Sequence, residues 1–126
     1  RGLSENIIVQ SIIGRFLEHG RIYVFSNGGK FQSDQNDVYI SSADMMPRNL
    51  YTRVETFVPL KNETVRSQIL TQVLPALIND TKNSWVLEQS GEYVKLIKKF
   101  NFCSHSYFMK NPSLSGQGTL SKTKSA

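Results

Sequence analysis

The spacing of apolar residues changes near residue 60, and this change restricts the fold more than any other feature of the sequence. Before it, residues 21–25 and 38–42 are short runs of β-branched and aromatic residues, which predict strands. After it, apolar residues recur at every fourth position: Val65, Ile69, Val73 and Leu77. That period predicts an amphipathic helix over residues 63–79. A chain of 126 residues with both patterns is expected to form one domain of the α/β (α+β) class.

Local signals predict the remaining elements. Four further segments are predicted to be strands: 7–13, 51–59, 85–87 and 92–96. Asn62 is a suitable N-cap for the helix, and Pro75 is expected to kink the helix or loosen its last turn. The strands at 21–25 and 38–42 are predicted to pair antiparallel across a long loop.

Positive charge is concentrated in the C-terminal third. The net charge is +5, but from Tyr93 onward the chain has six lysines and no acidic residue, which leaves nine bases against ten acids in residues 1–92. Such a segment indicates either a polyanionic partner or a solvated tail. Residues 111–126 are rich in Ser, Gly, Thr and Lys, so we predict a disordered basic tail after a domain over residues 1–110.

Composition excludes several classes of protein. No apolar run reaches the roughly 20 residues of a transmembrane helix. The single cysteine excludes an intramolecular disulfide, and two histidines with one cysteine are too few for a Cys/His zinc site. The chain begins at Arg1 without a secretory signal pattern, which suggests a fragment or a processed chain.

His19 and Arg21 form the first candidate site. Residues two apart on a strand share a face, so both side chains are expected on one side of the strand that begins near them. An arginine can hold a phosphate bidentately, and a histidine can act as a nucleophile or a general acid/base. A structural histidine is the alternative.

The second candidate lies at the end of the next strand. Two hydroxyls, a carboxylate, an arginine and an amide fall within nine residues: Ser41, Ser42, Asp44, Arg48 and Asn49. Hydroxyls and backbone N–H groups at a strand end can bind phosphate oxygens. Local turn chemistry, with Asp44 as a cap, explains the same residues.

Other motifs carry less information. Residues 27–30 contain Gly-Gly-Lys but lack the rest of a phosphate-binding loop, which favours an ordinary loop. Arg53 and Glu55 are expected either to extend a charged sheet face or to form a cross-strand ion pair. Cys103 and His105 have no identifiable partner in the sequence and receive no catalytic role.

Several stretches resemble, in order and spacing, the C-terminal catalytic domain of bacterial-type polyphosphate kinases. The matching segments are 2–7, 15–23 (with RFLEHGRIY), 38–44 (VYISSAD), 46–50 (MPRNL) and 53–55, with weaker matches at 79–82 and 90–93. The resemblance covers about residues 2–96. Met46 stands where the family usually has tryptophan, and Tyr51-Thr52 replaces a charged pair, which puts contacts from those two positions in doubt.

The resemblance implies a fold and a reaction. The fold is a phospholipase D-like lobe, a mixed β-sheet with flanking helices that is incomplete at its N-terminal edge, and an exposed edge or apolar face is expected to promote aggregation. The reaction is the reversible transfer of the terminal phosphate of ATP to inorganic polyphosphate. A phosphohistidine supplied by a preceding domain carries the phosphate, with Mg²⁺ whose ligands are expected outside this chain.

The resemblance also implies roles and partners. His19 is similar to the family's second essential histidine, expected either to act as general acid/base or to stabilise the transferring group. Substrate- or phosphate-binding roles are implied for Arg21, Ser41, Ser42, Asp44, Arg48 and Asn49. The implied partners are ATP or ADP, polyphosphate, the upstream domains and further copies of the intact enzyme, but not nucleic acid. The implied location is the cytoplasm, and association with the inner membrane face is left open. Alone, this chain is expected to be inactive.

Two other functions stay open at this point. A phospholipase D-like phosphodiesterase would share the same lobe, because fold does not fix function. A non-catalytic polyanion-binding module would depend on the basic C-terminal third and would bind less tightly as salt is raised.

Overall fold

The structure is a computed structural model that describes residues 5–111 of the chain. Apart from its first residue, the predicted tail at 111–126 lies outside the described residues. The helices are α1 (Glu63–Gln68), α2 (Leu74–Ile78) and α3 (Ser104–Lys110), and π-helical segments occupy Arg48–Thr52 and Ile69–Val73. The strands are β1 (Gln10–Ile12), β2 (Ile22–Phe25), β3 (Asp37–Ser41), β4 (Phe57–Pro59), β5 (Ser84–Leu87) and β6 (Tyr93–Lys95).

Two three-stranded sheets, in the orders β1-β5-β6 and β2-β3-β4, replace the one mixed sheet that was predicted. Every described strand pair is antiparallel. The described contacts divide the chain into two compact units, one made of residues 5–17 and 74–111 and the other of residues 18–73. The α/β class is confirmed, and no helix among the described residues is long and apolar enough to cross a membrane.

The β2-β3-β4 sheet has one aliphatic and one aromatic face. Across β2 and β3, Ile22 lies opposite Ile40 and Tyr23 lies opposite Tyr39, so alternate residues separate the two kinds of side chain. On the aromatic face the Tyr39 and Phe57 rings stack with centroids 4.7 Å apart. After β2 the chain turns with positive φ at Asn27, and the predicted antiparallel pair with a long loop is confirmed.

The predicted helix is present but not uniform. Helical structure runs from α1 to α2, and Asn62 Oδ1 accepts a hydrogen bond at 3.1 Å from the Val65 N–H, which confirms the predicted N-cap. Five residues immediately before α2, Ile69–Val73, are π-helical. Pro75 follows them and has no N–H to donate to the preceding turn, which accounts for the wider turn at this position. The Gln32 side-chain amide donates to the Leu70 carbonyl at 3.0 Å.

One predicted strand begins later than the alternating pattern indicated. Residues 51–59 were predicted to be extended, whereas Tyr51 and Thr52 belong to the π-helical segment and only β4 is a strand. Pro47, with φ of −51°, starts this helical turn, and the Thr52 hydroxyl closes it on the Arg48 carbonyl at 2.6 Å. Local turn formation therefore overrides the alternation of side chains.

The other unit is organised around the buried carboxylate of Asp80. Its Oδ1 accepts from the Asn83 N–H at 2.8 Å, and its Oδ2 accepts from the N–H and hydroxyl of Ser104 at 2.8 and 2.7 Å. Both Asp80 and Ser104 are fully buried. A buried carboxylate is tolerated when such donors replace water, and here they fix the start of α3 against the turn before β5.

His105 packs closely on the segment that follows β1. A Cβ added to Gly14 would lie 2.6 Å from the ring Nδ1 of His105, so the close approach requires glycine at this position. The same nitrogen lies 3.4 Å from the Phe16 N–H, which can donate to it. His105 is therefore a buried residue of the fold.

We expect Asp80→Ala to lower the free energy of unfolding by about 3 kcal/mol, because it leaves buried donors without an acceptor. Urea unfolding followed by the fluorescence of Trp85, which lies on β5, measures the change. Glu88→Ala removes an exposed acid from the same unit and serves as the matched control. Equal stability of the two variants would show that the Asp80 bonds contribute nothing.

Candidate functional site

The pairing of β2 with β3 brings two polar segments to one end of their sheet. The chain enters β2 through Arg21, whose backbone oxygen accepts at 3.0 Å from the N–H of Ser41, the last residue of β3. In an antiparallel pair the start of one strand lies beside the end of its neighbour. His19, before β2, and Asp44, after β3, are therefore neighbours although they are far apart in sequence.

Arg21 joins these segments through its side chain. Its Nε donates to Asp44 Oδ1 at 2.6 Å, and its Nη2 lies 3.0 Å from Nε2 of His19. Asp44 Oδ1 also lies 3.3 Å from His19 Nε2. Arg21 and Asp44 are each 22% exposed and His19 is 70% exposed, so the pair is sheltered and the imidazole faces solvent. We refer to these three residues as the Arg21 cluster.

The charges in the Arg21 cluster stabilise each other. The hydrogen bond from Arg21, and then its positive charge, hold the pKa of Asp44 below its usual value, although partial burial opposes the shift. The same bond raises the pKa of Arg21. Both groups are therefore ionised at neutral pH, and Arg21 keeps N–H groups that are directed neither to Asp44 nor to His19.

A second carboxylate, that of Glu55, bonds one residue before the π-helical segment and one residue within it. Glu55 accepts from the Ser42 hydroxyl on one oxygen and from the Asn49 amide at 2.6 Å on the other. These two bonds, the Ser42 bond first, lower the pKa of Glu55. Asn49 is 4% exposed, and its Oδ1 has no hydrogen-bond partner among the described residues. We refer to Ser42, Asn49 and Glu55 as the Glu55 cluster.

The structure thus groups the candidate residues in two clusters rather than one. His19, Arg21 and Asp44 meet directly, while Ser42 and Asn49 meet at Glu55. The Ser41 hydroxyl donates to the Thr56 carbonyl at 2.8 Å and accepts from the Ala43 N–H, so it is engaged in local turn bonding. The Arg48 side chain is exposed and is not among those bonded to Asp44 or Glu55.

Glu55 was not among the predicted site residues. The sequence indicated only a charged face or an ion pair with Arg53, because it gave no register between this segment and β3. Beyond the pair of Ser41 with Phe57, the Ser42 hydroxyl accepts from the Thr56 N–H at 3.0 Å, and this places Glu55, the residue before Thr56, beside Ser42. The alternation of residues 53–58 indicated which strand face Glu55 occupies. Its neighbours on that face depend on how the segment pairs with β3, which the alternation does not give.

The described residues contain no preformed metal cluster. Within residues 5–111, no group of three or more His, Cys, Asp or Glu side chains is placed to hold a metal ion. Asp44 Oδ1 already accepts a hydrogen bond from Arg21. The two Glu55 oxygens already accept hydrogen bonds from Ser42 and Asn49. That the Mg²⁺ ligands lie elsewhere stays a prediction.

An open pocket of about 430 Å³ in the same unit is lined by other residues. Asp34, Glu63 and Arg66 contribute its charged side chains, and neither the Arg21 cluster nor the Glu55 cluster contributes to its wall. These three residues provide matched controls for substitutions in the two clusters.

The chain is similar to proteins of one family along most of its length. Residues 1–103 match the family model described as "Polyphosphate kinase C-terminal domain 2". A polyphosphate kinase of Erythrobacter litoralis is 53% identical over 118 residues, which are 93% of this chain and 16% of that protein. A polyphosphate kinase of Paraburkholderia phytofirmans is 46% identical over 92 residues, which are 73% of this chain and 13% of that protein.

A solved structure is similar in fold. The crystal structure of polyphosphate kinase from Porphyromonas gingivalis matches with a TM-score of 0.75 and 31% sequence identity, over 86% of this chain and 16% of that chain. The chain thus spans about one sixth of the length of these longer proteins. Both clusters lie inside the range that the family model matches, whereas His105 lies beyond it.

We expect the unit of residues 18–73 to lose stability in acid. Asp44 and Glu55 have folded-state pKa values below their ordinary 3.8 and 4.5, so the unfolded chain binds protons first. Their contribution is present above the ordinary values and is lost as pH falls through the lower, folded values. The urea midpoint, followed by amide NMR signals of β2 and β3, should fall as pH is lowered from about 6 to about 3.

The matching double variants test the source of this pH dependence. Asp44→Asn with Glu55→Gln should reduce the acid-induced fall, because neither residue can then bind a proton. Asp34→Asn with Glu63→Gln removes two acids of the neighbouring pocket and should keep the full dependence. If the urea midpoint of Asp44→Asn with Glu55→Gln falls in acid as much as that of the parent, the two clusters are not the cause of the acid sensitivity.

Proposed function

Because this chain belongs to the polyphosphate kinase family, we propose that it supplies one half of a site that reversibly transfers the terminal phosphate of ATP to inorganic polyphosphate. The observation that supports this most directly is the Arg21 cluster, which lies within the family match and places an exposed imidazole beside a guanidinium. Phosphoryl transfer depends mainly on positioning and on neutralising charge, and a fixed arginine provides both.

In this proposal His19 is the general acid/base and Arg21 the phosphate ligand. The guanidinium has five N–H donors, of which Nε–H is held by Asp44 and one on Nη2 faces His19. The remaining donors can form charge-assisted bonds to a phosphate next to the imidazole. A neutral imidazole can accept a proton from the attacking or leaving group, and an imidazolium can return it.

Asp44 has an indirect role in phosphate binding. A carboxylate repels a phosphate, so the predicted phosphate-binding role of Asp44 is fulfilled by orienting Arg21 rather than by contact. Likewise, Ser42 and Asn49 are held by Glu55 and shape the loop from β3 to the π-helical segment. Arg48, the first residue of the π-helical segment, and Arg53, which follows that segment, are exposed and are available to further phosphate groups of a long polyanion.

The rest of the site is proposed to lie in the remainder of the longer protein. The phosphohistidine, the nucleotide-binding groups and the Mg²⁺ ligands are assigned to it, because the described residues offer one exposed histidine near an arginine and no metal cluster. The metal, when bound, would offset phosphate charge during transfer.

We expect His19→Ala to reduce polyphosphate-driven conversion of ADP to ATP by roughly 100- to 10,000-fold in a longer protein that includes the gene's own sequence upstream of Arg1. Arg66→Gln, which changes an arginine of the neighbouring pocket, should retain parent activity and controls for charge and solubility. The 126-residue chain alone should not turn over ATP. Luciferase detection of ATP measures all three.

Each result has one interpretation. A loss of ADP-to-ATP conversion that is confined to His19→Ala would support the proposed role of this residue. Activity that survives the substitution would leave the family assignment intact and remove His19 from the reaction. A folded parent that cleaves phosphodiesters without forming ATP would replace the kinase proposal with the phosphodiesterase, and turnover by the chain alone would contradict the half-site.

A further inference from the structure

One ring nitrogen of His19 lies within reach of two groups of opposite charge. Nε2 is 3.0 Å from Arg21 Nη2 and 3.3 Å from Asp44 Oδ1. Arg21 Nη2 is also 3.4 Å from Nδ1 of the same ring. The two partners are themselves joined by the 2.6 Å bond from Arg21 Nε to Asp44 Oδ1, so they form a fixed pair beside the imidazole.

The two contacts require different protonation states. A guanidinium only donates hydrogen bonds and does not lose its proton in proteins, so a ring nitrogen facing it must be unprotonated. An ionised carboxylate only accepts, so a ring nitrogen facing it must carry a proton. One nitrogen cannot satisfy both requirements at once.

We propose that Asp44 is a positioning residue for His19. The Asp44 carboxylate accepts a hydrogen bond from the ring when the imidazole is protonated, whereas Arg21 donates a hydrogen bond to the ring when the imidazole is neutral. The change consists of one N–H bond formed on the ring with a proton from solution, and a small rotation exchanges the hydrogen-bond partner. The bond between Arg21 and Asp44 is present in both states. This inference rests on the acid/base role proposed for His19 and extends it to a named partner.

The joined pair of Arg21 and Asp44 restricts the orientation of an exposed acid/base group. His19 is 70% exposed, so packing does little to restrict its rotamers. A group that takes up and returns a proton must stay in place in both states, and a single donor or acceptor would hold only one of them. A joined donor and acceptor hold both.

Other charged groups act on this cluster through Arg21 and Asp44. Glu55, before β4, acts electrostatically on Arg21, and Arg53 acts on Glu55, whereas Tyr23 on β2 contributes a neutral phenol. These side chains modulate the strength of both contacts. The sign of each effect on His19 is nevertheless set by the two nearest charges, because Coulomb energy falls with distance and is further screened by water.

The test is an NMR titration of the ring nitrogens of His19 in the 126-residue chain, with His105 as an internal reference in the same spectra. Asp44→Asn should lower the midpoint of the His19 titration relative to the parent by about 0.5 to 1 pH unit, because Arg21 then faces the ring unopposed. Arg21→Gln should raise the midpoint by a similar amount. The double variant should return close to the parent.

Matched controls come from the neighbouring pocket. Asp34→Asn and Arg66→Gln remove one charge of each sign from the same unit without touching the Arg21 cluster, and both should leave the His19 midpoint within about 0.2 pH unit of the parent. Shifts of the same sign in Asp44→Asn and Arg21→Gln, or shifts no larger than those of the controls, would overturn the proposal.

A measurement on the unsubstituted chain avoids any dependence on how the variants fold. The side-chain carboxyl carbon of Asp44 should show an inflection at the midpoint of the His19 titration, and the Nε–H signal of Arg21 should remain protected throughout. The absence of that inflection would refute the exchange of partners. Neither readout requires phosphate transfer, so a failure here is distinguishable from inactivity of the longer protein.

Discussion

The bond between Arg21 and Asp44 is the constraint on which the candidate site depends. It joins the residue that enters β2 to the loop that leaves β3, and it is continued in the backbone by the bond from Ser41 N–H to the Arg21 carbonyl. Because an antiparallel ladder fixes which strand ends are neighbours, the sheet supplies the position and the ion pair supplies the orientation. Removing either charge would leave the other without its partner and His19 without one of its two contacts.

The two units use the same physical device for different purposes. Asp80 is fully buried and satisfied by three donors, and it ties a turn to the start of α3, whereas Glu55 is half-buried and ties Ser42 to Asn49. A carboxylate oxygen can accept from several N–H and O–H groups at once, which makes it suited to fixing irregular backbone. In the first unit the result is a stable fold, and in the second it is a loop of defined shape beside an imidazole.

The local features were predictable from the sequence, and the long-range ones were not. The period of four from Val65, the Asn62 cap and the antiparallel pair of β2 with β3 all follow from neighbouring residues and are confirmed. The division into two sheets depends on β1 pairing with β5, more than 70 residues later, as in the match of Gln10 with Val86. No local pattern encodes such a pairing, since each short strand is compatible with several partners.

For the same reason, the residue types of the site were apparent from the sequence and their contacts were not. His19 and Arg21 are two residues apart, so a strand geometry was enough to place them together, but Asp44 reaches them only through the register of β2 and β3. The two carboxylates that the fold brings to Arg21 lower the net charge of the site. One guanidinium is opposed by Asp44 and Glu55, so the two clusters together are not electropositive, and a polyphosphate would need cations from exposed Arg48 and Arg53 and from the remainder of a longer protein. This charge balance agrees with the proposed half-site, in which cations from outside the two clusters contribute to binding the polyanion.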